Sequence, residues 1–267
     1  MDDVLAQKRM IERDLRAALA GGRDIKLFYQ PIYATDSRTI VGAEALIRWD
    51  DPLHGSLSPA LFVSIAEERG MTNLLGGWVL SEVARFAAST DLPWVAFNVS
   101  PFQLRDASFA DHVLGILSEA GVPPLRIQIE IVESALLESS QTTRAVLSQL
   151  RDAGIRIALD DFGTGYSSIN YLKRDIIDKL KIDRSFVRML DTTEGSAIIK
   201  AIVDLASALK VKVTAEGVET PEQRDLLVKM GCDELQGFLF SPGLDARELR
   251  ALDASPREPL RSASGGL

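Results

Sequence analysis

Residues 126–161 read RIQIEIVESALLESSQTTRAVLSQLRDAGIRIALDD. RIQIEIVES and IRIALDD are short apolar runs of strand length, and Ser140–Ala153 between them has helical spacing closed by Gly154. Two nearly continuous apolar strands flanking a helix pair in parallel, with the helix covering them. The same alternation extends in both directions. LFYQPIY, TIVGAEALIRW and WVAFNVS precede this stretch, and IIDKLKID, VKVTAEG and ELQGFLF follow it. The helical patterns are Pro59–Arg69, Trp78–Ala88, Phe109–Ala120, Gly195–Leu209 and Pro221–Met230. Gly70, Gly121 and Gly231 stand where helix C-terminal caps belong. About eight strands in a chain of this length favour a closed barrel over an open sheet. LFYQPIY and TIVGAEALIRW are joined only by ATDSR, which suits a hairpin. The expected fold is therefore α/β, a TIM-like (β/α)8 barrel with one antiparallel strand.

The chain has 267 residues, 46% apolar and 25% charged, as in an ordinary globular enzyme. No apolar run is long enough to span a bilayer, and MDDVLAQKRMIERDLRAALAGG has no apolar signal core. The expected location is the cytoplasm, with no membrane contact by this domain, although an upstream segment could tether it. One cysteine, Cys232, excludes an internal disulfide, and His54 and His112 are too isolated for a histidine-rich zinc site. A net charge of −8 argues against long nucleic acid as a partner but admits a small phosphate ligand, because bound cations invert a local field. Residues 1–22 read as a lead-in helix and linker, with helical spacing from Val4 to Leu19. Residues 23–254 read as the folded domain, and the Ser-, Pro-, Gly- and Arg-rich residues 255–267 as a disordered tail.

The polar residues are misplaced for simple packing. Glu44, Glu130 and Gln236 interrupt apolar strands, while Asn98, Asp160, Asp161, Lys181, Asp183 and Glu216 end them. Burying a lone charge is expensive unless it is paired or bound to metal. In a barrel the C-terminal strand ends converge on the face where active sites lie. A converging set of Glu44, Asn98, Glu130, Asp160, Asp161 and Glu216 would repel itself without divalent cations. Its all-oxygen donors suit Mg2+, Mn2+ or Ca2+ rather than zinc. Such a set could hold two ions, with Asp160 or Asp161 as the bridge, and paired ions serve displacement at phosphorus. Lys181 could orient or deprotonate a water there, or offset developing negative charge. GTGYSS at 163–168 then reads as a loop supporting or gating the site.

These residues fall into strings that resemble the EAL-domain phosphodiesterases, from about Ile11 to Leu249. EALIRW at 44–49 carries the name. YQPI at 29–32, NVSPFQ at 98–103, IEIVES at 129–134, DDFGTGYSS at 160–168, KIDRSF at 181–186, AEGVET at 215–220 and QGFLFS at 236–241 follow in order. The resemblance implies a barrel that hydrolyses cyclic-di-GMP to linear pGpG with Mg2+ or Mn2+, two ions per site. It makes Glu44, Asn98, Glu130 and Asp160 ligands of one ion, and Asp160, Asp161 and Glu216 contributors to the other. Lys181 matches the lysine that meets the catalytic water, and Glu133 the glutamate that anchors the loop beginning at Phe162. Gln30 and Gln236 match residues near the guanine ends of the substrate, Arg48 an arginine that reaches the phosphate, and Asp183 and Glu219 further substrate or supporting contacts. Family members often form homodimers around the DDFGTGYSS loop. The lead-in MIERDLRAAL resembles the helix that follows an upstream sensory or GGDEF-type domain.

The pattern has departures. Val132 stands where threonine is common, Asp175-Ile176 where Phe-Pro is common, and Pro242-Gly243 where a basic residue and proline are common. None removes an expected ligand or Lys181. The competing readings are a non-catalytic cyclic-di-GMP sensor, which typically loses such positions, and an interaction module, which leaves the acids unexplained. Arg48 could instead pair with Asp50, Gln236 could be a satisfied core amide, and Glu219 could simply open a helix. Trp49, Trp78 and Trp94 read as core or interface aromatics.

Overall fold

In the computed structural model of the chain, the structure describes residues 2–21, 24–36, 39–137, 140–163 and 176–254. The tail 255–267, loop residues 164–168 and Asp175 lie outside the described residues. The strands are β1 (Ile25–Ala34), β2 (Ile40–Asp51), β3 (Gly55–Leu57), β4 (Val95–Asn98), β5 (Ile127–Val132), β6 (Arg156–Phe162), β7 (Lys179–Ile182), β8 (Lys212–Ala215) and β9 (Glu234–Leu235). They lie in the order β1-β9-β8-β7-β6-β5-β4-β2-β3, and a further pairing of β1 with β2 closes eight of them into a barrel, with β3 as an appended strand. β1 runs antiparallel to both neighbours, β2 and β9. The pairs from β2–β4 through β8–β9 are all parallel. The expected barrel with one antiparallel strand is the fold of this chain.

Strand alternation places the two halves of each run. In β5, Ile127, Ile129 and Ile131 join the apolar core under the helices, beside Val146, Leu147 and Leu150 of the helix Gln141–Asp152. Gln128 and Glu130 take the other face, and both are fully buried. β7 repeats this, with Leu180 and Ile182 in the apolar core and Lys179 and Lys181 buried on the barrel side. The main apolar core therefore lies between strands and helices, and the barrel interior is polar. At its base the Trp94 ring lies across Gly42, where an added Cβ would stand 2.4 Å from the indole.

Local signals set the helix ends. Ser140 caps Gln141–Asp152 by accepting the Thr143 N–H at 3.1 Å. Pro221–Met230 begins with a Thr220–Gln223 capping box and ends at Gly231, whose φ of 99° suits a residue without Cβ. The helix that reads as Trp78–Ala88 begins earlier, at Thr72. The short helices Glu133–Leu137 and Arg184–Arg188, the helix Ala246–Ala254 and strand β3 were not legible. ELQGFLF is mostly not a strand: β9 ends at Leu235, and Gly237 packs so closely on Val218 that an added Cβ would meet the Val218 carbonyl oxygen at 2.1 Å. The chain then turns back, and Leu244 exchanges backbone hydrogen bonds with Tyr29 at 2.7 and 2.9 Å.

The N-terminal helix Asp2–Gly21 lies against the barrel. Ile11, Leu15 and Leu19, spaced to share one face, are buried with Trp49, Phe62, Ile65 and Met71. Lys8 meets Glu68 at 2.8 Å, and Asp14 meets His54 at 3.3 Å. The Lys8–Glu68 pair is solvent-exposed and adds little, so the apolar stripe carries most of the helix's attachment. Leu15→Ala is expected to lower unfolding free energy by about 3 kcal/mol, measured from the urea midpoint at constant m-value.

Candidate active site

Lys181 emerges from β7 inside the barrel and is 1% exposed. Its Nζ lies 2.5 Å from Glu130 Oε2, 2.6 Å from Glu216 Oε1, 3.3 Å from Asp160 Oδ1 and 3.4 Å from Glu44 Oε2. These four carboxylates come from β5, the end of β8, β6 and β2, so the ends of separate strands converge as the sequence pattern requires. Asn98 Nδ2 donates to Glu44 Oε1 at 3.0 Å. Gln236 Nε2 donates to Glu44 Oε2 at 2.8 Å and to Gln30 Oε1 at 3.1 Å. Gln30 in turn donates to the Ser241 carbonyl at 3.1 Å.

The charges are mutually dependent. Burial alone would neutralise Lys181, but Asp160, Glu130, Glu216 and Glu44 outweigh it and hold the ammonium well above its ordinary range. Burial opposes ionisation of Glu44 too, yet Lys181 and the donors Gln236 and Asn98 keep its carboxyl below the usual range. Glu130 goes the other way: burial, reinforced by its acidic neighbours, outweighs Lys181 and raises it well above. Burial pushes Glu216 up to about 8, with Asp160 and Glu44 adding to the rise against Lys181.

Asp160 and Asp161 are aimed by a local irregularity. The β6–β7 register shifts between Leu159 and Phe162, and Asp161 has φ 54°, the left-handed region that costs a non-glycine residue on the order of 1 kcal/mol. Simple alternation would send one of the two to the helix side. Instead Asp160 meets Lys181 and Asp161 lines the mouth of the barrel. Burial, Asp160 and Asp183 raise the Asp161 carboxyl.

The mouth is a cavity of about 480 Å3 that also contains Gln30, Glu44, Asp183, Glu216, Glu219 and Gln236. Asp183 caps the helix Arg184–Arg188; burial opposes its ionisation, but Ser185 and the Arg184 amide outweigh that and hold its carboxyl below the usual range. Glu219 Oε1 faces Arg188 Nη2 at 3.7 Å. Arg48 is not among the residues lining this cavity. It donates to the Ile47 carbonyl at 2.8 Å, while Asp50 pairs with Lys26 at 3.3 Å. Glu133 is 9% exposed, and neither carboxylate oxygen has a hydrogen-bond partner among the described residues. Arg184, Arg188 and Phe238 line the mouth without having been singled out. Arginines on a short helix and a phenylalanine in an apolar run look ordinary in sequence; only the turn after Leu235 leaves Phe238 71% exposed.

No cluster of three or more His, Cys, Asp or Glu spaced to hold a metal stands among the described residues. The ammonium of Lys181 sits between the carboxylates and draws them onto itself. The donor chemistry nonetheless fits a hard divalent cation. Glu44, Glu130, Asp160, Asp161 and Glu216 supply five carboxylates against one lysine, and Asn98 adds an amide oxygen.

A barrel whose parallel strands bring acids and one lysine to a single mouth defines an α/β-barrel enzyme type of site. The EAL domain family model matches residues 12–243, and the chain belongs to the EAL domain family. It is 38% identical over 244 residues to the bifunctional diguanylate cyclase/cyclic di-GMP phosphodiesterase MucR of Pseudomonas aeruginosa, covering 89% of this chain and 36% of that protein. It is also 38% identical over 268 residues to the cyclic di-GMP phosphodiesterase NbdA of the same organism, covering 96% of this chain and 34% of that one. The chain thus spans about a third of the length of the curated relatives it matches. Among solved structures, the PaMucR phosphodiesterase in complex with c-di-GMP superposes with a TM-score of 0.85 at 36% identity, covering 90% of this chain and 99% of that one. No helix among the described residues is long and apolar enough to cross a membrane.

The raised carboxyls give stability a sign with pH. Between the ordinary 4.5 and about 8, folded Glu216 holds more proton than unfolded Glu216, so stability falls as pH rises through that window. In EDTA, unfolding free energy is expected to drop by on the order of 1 kcal/mol from about pH 6 to about pH 8. Urea titrations check this: Glu216→Gln should reduce the slope and Mg2+ should flatten it.

Proposed function

We propose that the chain is a metal-dependent phosphodiesterase that hydrolyses cyclic-di-GMP to linear pGpG. The observation that carries this reading is the buried Lys181 ammonium ringed by Glu44, Glu130, Asp160 and Glu216 at an open barrel mouth. The names of MucR and NbdA and the c-di-GMP complex of PaMucR support the substrate.

Glu44, Asn98, Glu130 and Asp160 would hold one Mg2+ or Mn2+, and Asp160, Asp161 and Glu216 a second. When bound, such ions acidify water and neutralise charge on the phosphoryl oxygens. The chain's own residues do the rest. Lys181, a fixed ammonium, orients the attacking water and offsets the charge that develops as water adds to phosphorus and the P–O3′ bond breaks. Gln236 holds Glu44 and Gln30 in register with one amide group, and the pair faces a guanine edge. Exposed Phe238 offers a stacking face for the base, and Asp183 and Glu219 complete the substrate's surroundings at the mouth; Arg48, outside the cavity lining, would reach the phosphate only by leaving the Ile47 carbonyl. Glu133, buried with both oxygens unpartnered among the described residues, is suited to anchor the loop that begins at Phe162. Relatives about three times as long support an upstream sensory or GGDEF domain in the full-length protein. A homodimer in the cytoplasm completes the reading; sedimentation showing only monomer at high micromolar concentration would refute that part.

The deciding assay separates pGpG from cyclic-di-GMP chromatographically with Mg2+ or Mn2+. Product is expected with metal and should vanish with EDTA and in Glu44→Ala. Tight binding without product would make the chain a sensor. Lys181→Ala is expected to lower kcat by about 100-fold or more with a much smaller change in substrate Kd; a proportional loss of binding would make Lys181 a substrate anchor instead.

A further inference from the structure

At the opposite end of the barrel from the mouth, a cavity of about 270 Å3 is lined by Gln128, Arg156, Asp178, Lys179, Lys212 and Glu234. All but Gln128 and Asp178 are the first residues of their strands, β6 to β9. Both acids are already engaged. Glu234 Oε2 lies 2.5 Å from Lys179 Nζ and accepts the Thr214 hydroxyl at 2.9 Å. Its other oxygen is 3.7 Å from Lys212 Nζ. Asp178 Oδ2 accepts the Ile157 N–H at 2.9 Å, and Oδ1 is 3.5 Å from Arg151 Nε. Lys179 also lies over the Trp94 ring at 3.9 Å.

Three groups are left over. Arg156 makes no side-chain hydrogen bond or ion pair among the described residues. The Lys212 side chain is 64% exposed and only loosely paired. Gln128 is fully buried, and its Oε1 has no partner. Its Nε2 donates to Glu130 Oε1 at 3.0 Å, and Oε1 is the amide atom without a partner. Gln128 and Arg156 are direct register partners on β5 and β6.

A planar guanidinium fork and an ammonium select a phosphate-type oxyanion, and a buried acceptor selects one that also carries an O–H. We infer that this basal cavity binds a hydrogen phosphate group, with Arg156 and Lys212 holding its charged oxygens and Gln128 Oε1 accepting its P–OH. The site is separate from the mouth, but Gln128 joins them. A donor on Oε1 polarises the amide and strengthens the N–H it gives to Glu130, whose other oxygen pairs with Lys181 at 2.5 Å. Phosphate at the base therefore reaches the surroundings of Lys181 without entering the mouth. The inference rests on this cavity's own residues and stands whatever substrate the mouth takes.

Calorimetric titration of inorganic phosphate into the metal-free chain, at constant ionic strength, tests it. Saturable binding of one phosphate per chain is expected. Arg156→Gln and the exposed Lys212→Gln should each weaken it by about tenfold or more. Arg184→Gln at the mouth should leave it unchanged. Glycerol phosphate, titrated in parallel, separates free phosphate from a monoester as occupant: weaker binding of the ester assigns the cavity to inorganic phosphate, equal binding to a terminal phosphate. Absence of saturable binding, or binding lost in Arg184→Gln and kept in Arg156→Gln, would overturn the proposal.

Discussion

The ammonium of Lys181 is the point on which the barrel interior depends. A lysine that is 1% exposed would be neutral or absent in an apolar core; here it stays charged because four carboxylates from four strands lie within 3.4 Å. Those carboxylates tolerate burial only because the lysine is there. Removing one member of such a set leaves the others as uncompensated buried charge, which is far more costly than never having made the pair. The arrangement is thus a poor way to gain stability and a good way to hold charged groups in one geometry. Even with Lys181 in place, burial, helped by the neighbouring acids, pushes Glu130 and Glu216 upward.

Because the interior is polar, stability has to come from the layer outside. Each strand divides its residues accordingly. The apolar half packs under the helices, and the polar half forms a column along the barrel axis, from Lys179 and Glu234 at the base, through Gln128 and Glu130, to Lys181 and Glu44 at the mouth. Gln128 stands between the two ends and donates to Glu130 on the mouth side. The antiparallel β1 closes the ring and brings Gln30 opposite Glu44 in register, which is what allows one Gln236 amide to hold both.

Much of this was legible in the sequence. The strand–helix alternation, the ATDSR hairpin and the glycine caps follow from short-range rules, so the barrel and its single antiparallel strand could be read from pattern. IQIEIV and KLKI carried polar residues at every second position of apolar strands, and that alternation sends Gln128, Glu130, Lys179 and Lys181 to one face. The acids at strand ends were visible for the same reason. The reading of ELQGFLF as a strand was wrong beyond Leu235, where Gly237 packs closely on Val218, a contact between distant residues.

The sequence by itself determined which residues face the barrel axis and at which end of each strand they stand, since a period of two is local geometry. Only the tertiary structure decided what they meet. It placed Lys181 between Glu44 and Glu216, broke the β6 ladder so that Asp161 turns to the mouth, kept Arg48 on the Ile47 carbonyl, and left Phe238 and Arg184 lining the cavity. Those outcomes depend on closure of the ring, which brings together residues far apart in the chain, such as Lys181 and Glu44, and on burial, which sets the charge each of them can carry.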